Sequence, residues 1–126
     1  MSALRPRRIV AIVDDDPGML ASLSNLLDAH GFGTSLFASA EEWLDRGASD
    51  RVDCMLLDVH LGGMSGIALR RALSASGSRL PVIFMTAFDD EATRQQAQAA
   101  GCVAYLRKPF PGRVLIEAIA QAVPNS

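Results

Sequence analysis

Short apolar runs alternate with amphipathic stretches five times along this chain, with no linker or low-complexity segment between them. That alternation restricts the fold to an array of strand–helix units, because each short run needs a covering layer and the amphipathic stretches supply it. The predicted strands are Ile9 to Val13, Thr34 to Ala38, Cys54 to Leu57, Val82 to Met85 and Val103 to Leu106. Asp16-Pro17 reads as an N-cap and first helical residue ahead of the stripe Leu20, Leu23 and Leu27, and Gly31 and Gly33 stop that helix. Ser39 and Glu42 form a capping-box pattern for a short helix carrying Trp43 and Leu44. After Gly62-Gly63 comes a helix with Ile67, Leu69 and Leu73. A fourth helix runs from about Asp90 to Ala100 and closes at Gly101, and a fifth from about Gly112 to Val123. The first, third and fourth strands are apolar throughout, which places them centrally with both faces covered. With right-handed crossovers the economical arrangement is an α/β fold, a doubly wound five-stranded parallel sheet of order 2-1-3-4-5.

Composition narrows the setting. The 126 residues, 49% apolar and 21% charged, suit one domain that needs no disulfide or structural metal to form a core. We expect a flexible basic leader over residues 1–8, the domain over 9–123 and a tail over 124–126. A net charge of −2 argues against direct nucleic-acid binding. The apolar runs are too short to span a membrane, and no signal-peptide core follows Arg5-Pro6-Arg7-Arg8. Cys54 and Cys102 sit in apolar surroundings and read as buried free thiols of a cytoplasmic protein.

In doubly wound sheets, ligands sit beyond the carboxyl ends of the strands. The residues there are Asp14-Asp15-Asp16 after the first strand, Asp58 after the third, Thr86 after the fourth and Lys108 after the fifth. Each has a purely structural reading: a helix cap, a turn residue, a β-former, a solvated charge. The separate structural readings do not explain why all of them fall in one layer. Crowded carboxylates need a cation to remain ionised, and hard oxygen ligands with an open site favour Mg²⁺. Lys108 is the only lysine among 12 basic residues. Either a coding preference for arginine left it there, or the site needs a compact ammonium that a guanidinium cannot replace.

Asp14, Asp15, Asp58, Thr86 and Lys108-Pro109-Phe110 are spaced by 28 positions from Asp58 to Thr86 and 22 from Thr86 to Lys108. This set resembles the receiver domain of two-component response regulators, a flavodoxin-like (βα)5 fold, over essentially the whole chain. The segment Asp58 to Gly66 resembles the family's Asp-x-x-Met-Pro-x-Met-x-Gly, with Gly62 in the usual proline place, so a more mobile loop is expected. Met64-Ser65-Gly66 and Thr86-Ala87 most resemble receivers of the nitrogen-fixation regulator type.

The resemblance implies that Asp58 accepts a phosphoryl group from a histidine kinase or phosphotransfer protein. It implies that Asp15 holds Mg²⁺ directly, Asp14 largely through water, and the His60 backbone carbonyl completes the set. Thr86 would donate its hydroxyl to a phosphoryl oxygen, with Ala87 leaving room, and Lys108 would supply charge, turned into the cleft by a cis Lys108-Pro109 bond. Tyr105 falls where receivers carry an aromatic switch, with its hydroxyl expected in water at rest. Switching would change the surface of the fourth helix, fifth strand and fifth helix, used by a downstream effector or in a homodimer. The alanine-rich fourth helix should be loosely held. Phe88 and His60 are expected at the cleft rim, where they would govern how long the phosphoryl group survives.

Two other readings stand beside this one: a Mg²⁺-dependent aspartyl phosphohydrolase with Asp58 as nucleophile, and a receiver-like scaffold that is never phosphorylated. Whether Val123 to Ser126 ends a complete protein or begins a linker is open, with a lean to a self-contained protein because no output domain is present.

Overall fold

Strands form where the apolar runs were expected, and their exact ends carry the functional information. The computed structural model describes residues 7–47 and 51–123. In chain order the elements are β1 (Ile9–Val13), α1 (Pro17–Ala29), β2 (Gly33–Phe37), α2 (Ala40–Arg46), β3 (Cys54–Asp58), α3 (Gly66–Ala75), β4 (Val82–Thr86), α4 (Glu91–Ala100), β5 (Ala104–Arg107) and α5 (Gly112–Ala122). All strand pairs are parallel and the sheet order is β2-β1-β3-β4-β5. β3 and β4 each run one residue further than the apolar runs alone predict. Asp58 pairs in register with Met85, and Thr86 with Arg107. The ladder itself therefore fixes the backbone of two of the candidate site residues.

Side chains alternate across the sheet and split the core into two layers. Ala11, Val13, Met55, Leu57 and Phe84 face one layer, which Phe37 and Trp43 join with rings 5.1 Å apart and edge-on. Val10, Ile12, Leu56 and Ile83 face the other, covered by Leu23 and Leu27 of α1 and Leu115 and Ile119 of α5. Helix starts follow the expected chemistry: Asp16, Ser39, Ser65 and Asp90 each accept a hydrogen bond from a backbone N–H of the first turn. The capping box at Ser39 is only half made, because the Glu42 carboxylate turns to Arg46 at 2.8 Å.

Residues 1–6 and 124–126 of the expected leader and tail lie outside the described residues. Arg7, counted in that leader, is tied to the body. Its guanidinium donates to the Asp28 carboxylate and to the Phe32 carbonyl, both at 2.8 Å, across the turn that ends α1. Cys54 is buried, and burial pushes its thiol up to about 12, whereas Cys102 is only half-buried. Among the described residues, no helix is long and apolar enough to cross a membrane.

Candidate functional site

Three strand ends and one loop deliver the polar residues to a single cleft. Asp14 leaves β1 fully buried, Asp58 ends β3 at 6% exposure and Thr86 ends β4 fully buried. Carboxylate oxygens of Asp14, Asp15 and Asp58 lie within 4.8 Å of one another. Lys108 follows β5, and its peptide bond to Pro109 is cis. Its Nζ donates to Asp14 Oδ2 and to Asp58 Oδ2, each at 2.8 Å. The only lysine of the chain thus stands between two buried carboxylates, where a compact ammonium with three donors can serve both.

The local backbone orients these acids. Asp14 Oδ1 accepts from the Asp16 N–H at 2.9 Å, and Asp58 Oδ1 accepts from the His60 N–H at 2.9 Å. Burial pushes the Asp58 carboxyl up from its ordinary value, with the neighbouring Asp14 charge adding to that. Lys108 and the His60 N–H oppose it without cancelling it. For Lys108, burial works against the charged form, but the bonds to Asp14 and Asp58 outweigh it and hold the ammonium above its usual range. Three carboxylates against one ammonium leave an excess of negative charge around hard oxygen donors only. That donor set suits a divalent cation such as Mg²⁺ far better than a soft metal.

The remaining expected residues line the rim. The Thr86 hydroxyl accepts from the Phe88 N–H at 2.9 Å and donates to the Phe88 carbonyl at 3.2 Å, so it is turned into its own loop rather than toward Asp58. Phe88 is 65% exposed, and its ring meets that of His60 edge-on, centroids 5.3 Å apart. Ala87 is exposed beside it. Tyr105 packs against the layer that contains Phe84, and one expectation is corrected there. Its hydroxyl is shielded from solvent beside Asp89, rather than lying in water. Burial first, then the charge of Asp89 just ahead of α4, pushes the phenol up from its ordinary value.

Sequence reasoning missed Glu41. Its carboxylate accepts from the Met64 N–H at 2.8 Å, so the loop with Gly62 in the proline place is tied to α2. Gly62 also donates to Asp15 Oδ2 at 3.3 Å. Asp15 and Asp58 announce themselves by standing at strand ends. Glu41 reads as an ordinary first-turn acid of a helix, and only its reach across 23 positions distinguishes it. A cavity of about 390 Å³ lies elsewhere, lined by Trp43, Val52 and Leu80 near the amino ends of the strands, and includes none of the clustered acids.

The family model of the response regulator receiver domain matches residues 10–120. Transcriptional regulatory protein TdiR of Thauera aromatica is 35% identical over 114 residues, 90% of this chain and 50% of that protein. Transcriptional regulatory protein FixJ of Bradyrhizobium diazoefficiens is also 35% identical over 114 residues, 90% of this chain and 56% of that protein. The chain thus spans about half the length of the curated relatives it matches. The crystal structure of FixJ-N superposes with a TM-score of 0.87 at 32% identity, covering 97% of this chain and 98% of that one. A receiver protein from Burkholderia phymatum does so at 0.84 and 37% identity, covering 95% and 98%. Strand order, acid cluster and sequence likeness agree, and the chain belongs to the receiver domain family of two-component response regulators.

Proposed function

We propose that this receiver works as a Mg²⁺-dependent switch in which Asp58 is the phosphoacceptor and a histidine kinase or phosphotransfer protein is the donor. One observation carries the assignment. Asp58 is the acid of the cluster that ends β3, almost buried, with one oxygen on the His60 N–H of the following loop and the other on Lys108. Its oxygen attacks phosphorus, and the phosphorus–nitrogen bond of the donor's phosphoimidazole breaks. The electron pair leaves with the imidazole nitrogen. Phosphoryl transfer of this kind is mainly positioning and charge neutralisation. Bound Mg²⁺ would supply positive charge beside the incoming phosphoryl oxygens. Asp15, Asp14 and the His60 carbonyl are the residues assigned to hold it, alongside Asp58.

Lys108 neutralises charge from the other side and, as a mobile ammonium, can move from carboxylate to phosphoryl oxygen without leaving the cleft. Thr86 must release Phe88 to offer its hydroxyl to the phosphoryl group, and Ala87 leaves space for that turn. Movement of Thr86 makes room at Tyr105, whose ring lies only partly buried at the edge of the core layer and is open to repacking. The surface of α4, β5 and α5 changes in consequence and engages a downstream effector or a second copy of the chain. A hydrolase reading would ask His60 to act as leaving-group acid, but its ring is packed on Phe88 at the rim. The assignment is tested by intact-mass analysis after treatment with a small acyl phosphate and Mg²⁺. One phosphoryl group is expected on the parent chain and none on Asp58→Asn or in excess chelator. Equal labelling of Asp58→Asn would overturn it.

A further inference from the structure

We infer that Glu41 is a positioning residue for the phosphoacceptor loop, a tie to α2 that holds the loop independently of the metal. The inference rests on the assignment of Asp58 and its loop given above.

The segment from Asp58 to Gly66 must return from the end of β3 to the start of α3 while keeping the His60 backbone directed at the acid cluster. Two of its bonds are internal: the His60 N–H to Asp58 Oδ1, and the Gly66 N–H to the Val59 carbonyl at 3.0 Å. Internal bonds fix the shape of a loop but not its place. The Val59 N–H to the Met85 carbonyl at 2.9 Å and the Lys108 bond to Asp58 anchor the β3 end, and Ser65 caps α3. Between His60 and Met64, two backbone N–H groups reach outside the loop among the described residues, Gly62 to Asp15 at 3.3 Å and Met64 to Glu41 at 2.8 Å. The Asp15 tie is the longer one and uses a member of the acid cluster, a carboxylate that a cation would also draw upon. Glu41 lies outside the cluster and makes no ion pair among the described residues, whereas the adjacent Glu42 is committed to Arg46. Its carboxyl is held below the ordinary carboxylate range by the Met64 N–H, so it accepts as an anion at neutral pH.

Steric fit supports the same role. A Cβ on Gly63, which has φ +76°, would come within 2.7 Å of the Glu41 carboxylate. On the other side, a Cβ on Gly66 would fall 2.0 Å from the Asp58 carbonyl oxygen. The backbone therefore passes between Glu41 and the end of β3, with room only for glycine at Gly66, while at Gly63 the positive φ favours glycine and the Glu41 carboxylate lies against the turn. Where the family's usual proline would restrain the loop through its own ring, Gly62 leaves that restraint to a side chain brought from another element.

The experiment compares the parent, Glu41→Gln and Glu41→Ala. Exchange of the Met64 amide proton is measured by NMR without metal, and the initial rate of Asp58 labelling by acetyl phosphate is measured across a Mg²⁺ series. In Glu41→Ala the Met64 amide loses its protection and the Mg²⁺ concentration for half-maximal rate rises roughly tenfold, the lower range for loss of a group supporting a metal ligand. The rate at saturating Mg²⁺ changes little. Glu41→Gln keeps an acceptor oxygen at the same reach and stays within about twofold of the parent, because support needs an acceptor and not a proton transfer. Should Glu41→Ala fail to fold, Glu41→Asp, one methylene too short, carries the same comparison. An unprotected Met64 amide with a parent-like Mg²⁺ dependence would overturn the positioning role, as would a Met64 amide unchanged by the substitution. A parent that takes no phosphoryl group would instead remove the Asp58 assignment. The tie is then judged by Met64 exchange and by Mg²⁺ affinity from calorimetry, where a parent-like affinity in Glu41→Ala again overturns it.

Discussion

The helices are held with different amounts of apolar surface, and α4 differs even from its neighbour α3, which buries Ile67, Leu69 and Leu73. On one face α1 inserts Leu23 and Leu27, and α5 inserts Leu115 and Ile119, all buried. On the other, α4 buries only Thr93 and Ala97. A fully buried leucine or isoleucine contributes about 1.5–3 kcal/mol, and a side chain of one methyl group about 0.8 kcal/mol. What α4 lacks in apolar contact it makes up in directional bonds. Asp90 caps Thr93 at 2.7 Å, Arg94 pairs with Asp89 at 2.8 Å, and Arg70 Nε donates to the Gly101 carbonyl at 2.7 Å. Such bonds can be exchanged for others, whereas buried leucines have no alternative partner. The contrast teaches that α1, α3 and α5 keep the fold while α4 can reorganise at small expense, next to Thr86 and Tyr105.

The largest expected effect breaks the contrast directly. Leu27→Ala or Leu115→Ala should lower stability in urea by about 2–5 kcal/mol. Ala97→Gly should lower it by only about 1 kcal/mol and mainly speed amide exchange within α4. Equal losses would mean that α4 is held like α1 and α5. Next comes Lys108→Arg. A planar guanidinium cannot sit between Asp14 and Asp58 and then follow a phosphoryl oxygen. The labelling rate with acyl phosphate should fall on the order of 10- to 100-fold, and parent-like labelling would return this lysine to accident.

Stability against pH sharpens the comparison at the cleft. Asp58 titrates above its ordinary value of 3.8, so between that value and the folded one the native chain holds a proton that the unfolded chain releases. Its contribution to stability is therefore greatest below 3.8 and is lost as pH rises through the folded value. Asp58→Asn should be more stable than the parent at pH 7 without metal, and the advantage should vanish in acid. Lys108 works the other way: its contribution is complete below 10.5 and is lost as pH rises through its higher folded value. Thermal melts across pH, with and without Mg²⁺, measure both. The smallest effect concerns the rim. Phe88→Glu removes an apolar ring from the mouth of the cleft, which should let an in-line water approach and shorten the life of the phosphoryl group severalfold. Unchanged decay would leave Phe88 a surface aromatic.

The framework was legible because it depends on short-range patterns. Unbroken apolar runs marked the central strands, Asp16-Pro17 and Ser39 marked helix starts, and strand ends gathered Asp14, Asp58, Thr86 and Lys108 once the order was known. One-residue shifts at β2, β3, β4 and β5 were not, since ladder pairing rather than hydrophobicity ends a strand. Contacts between distant residues of ordinary type were also hidden. Arg7 on the α1 turn, Glu41 on Met64 and the shielding of the Tyr105 hydroxyl all depend on which elements the fold makes neighbours. The direction of the Thr86 hydroxyl is of the same kind, set by a turn that closes on Phe88.

The claim that charge added at Asp58 is read out around the loosely held α4 alone is tested most directly by amide exchange. The parent and Asp58→Asn are compared with Mg²⁺, before and after acyl phosphate, peptide by peptide. Changed protection in the parent is expected in the loop after β4, in α4 and in β5, with α1 and the buried turns of α5 unaltered and no response in Asp58→Asn. Changes of equal size in α1, or the same response in Asp58→Asn, would contradict it.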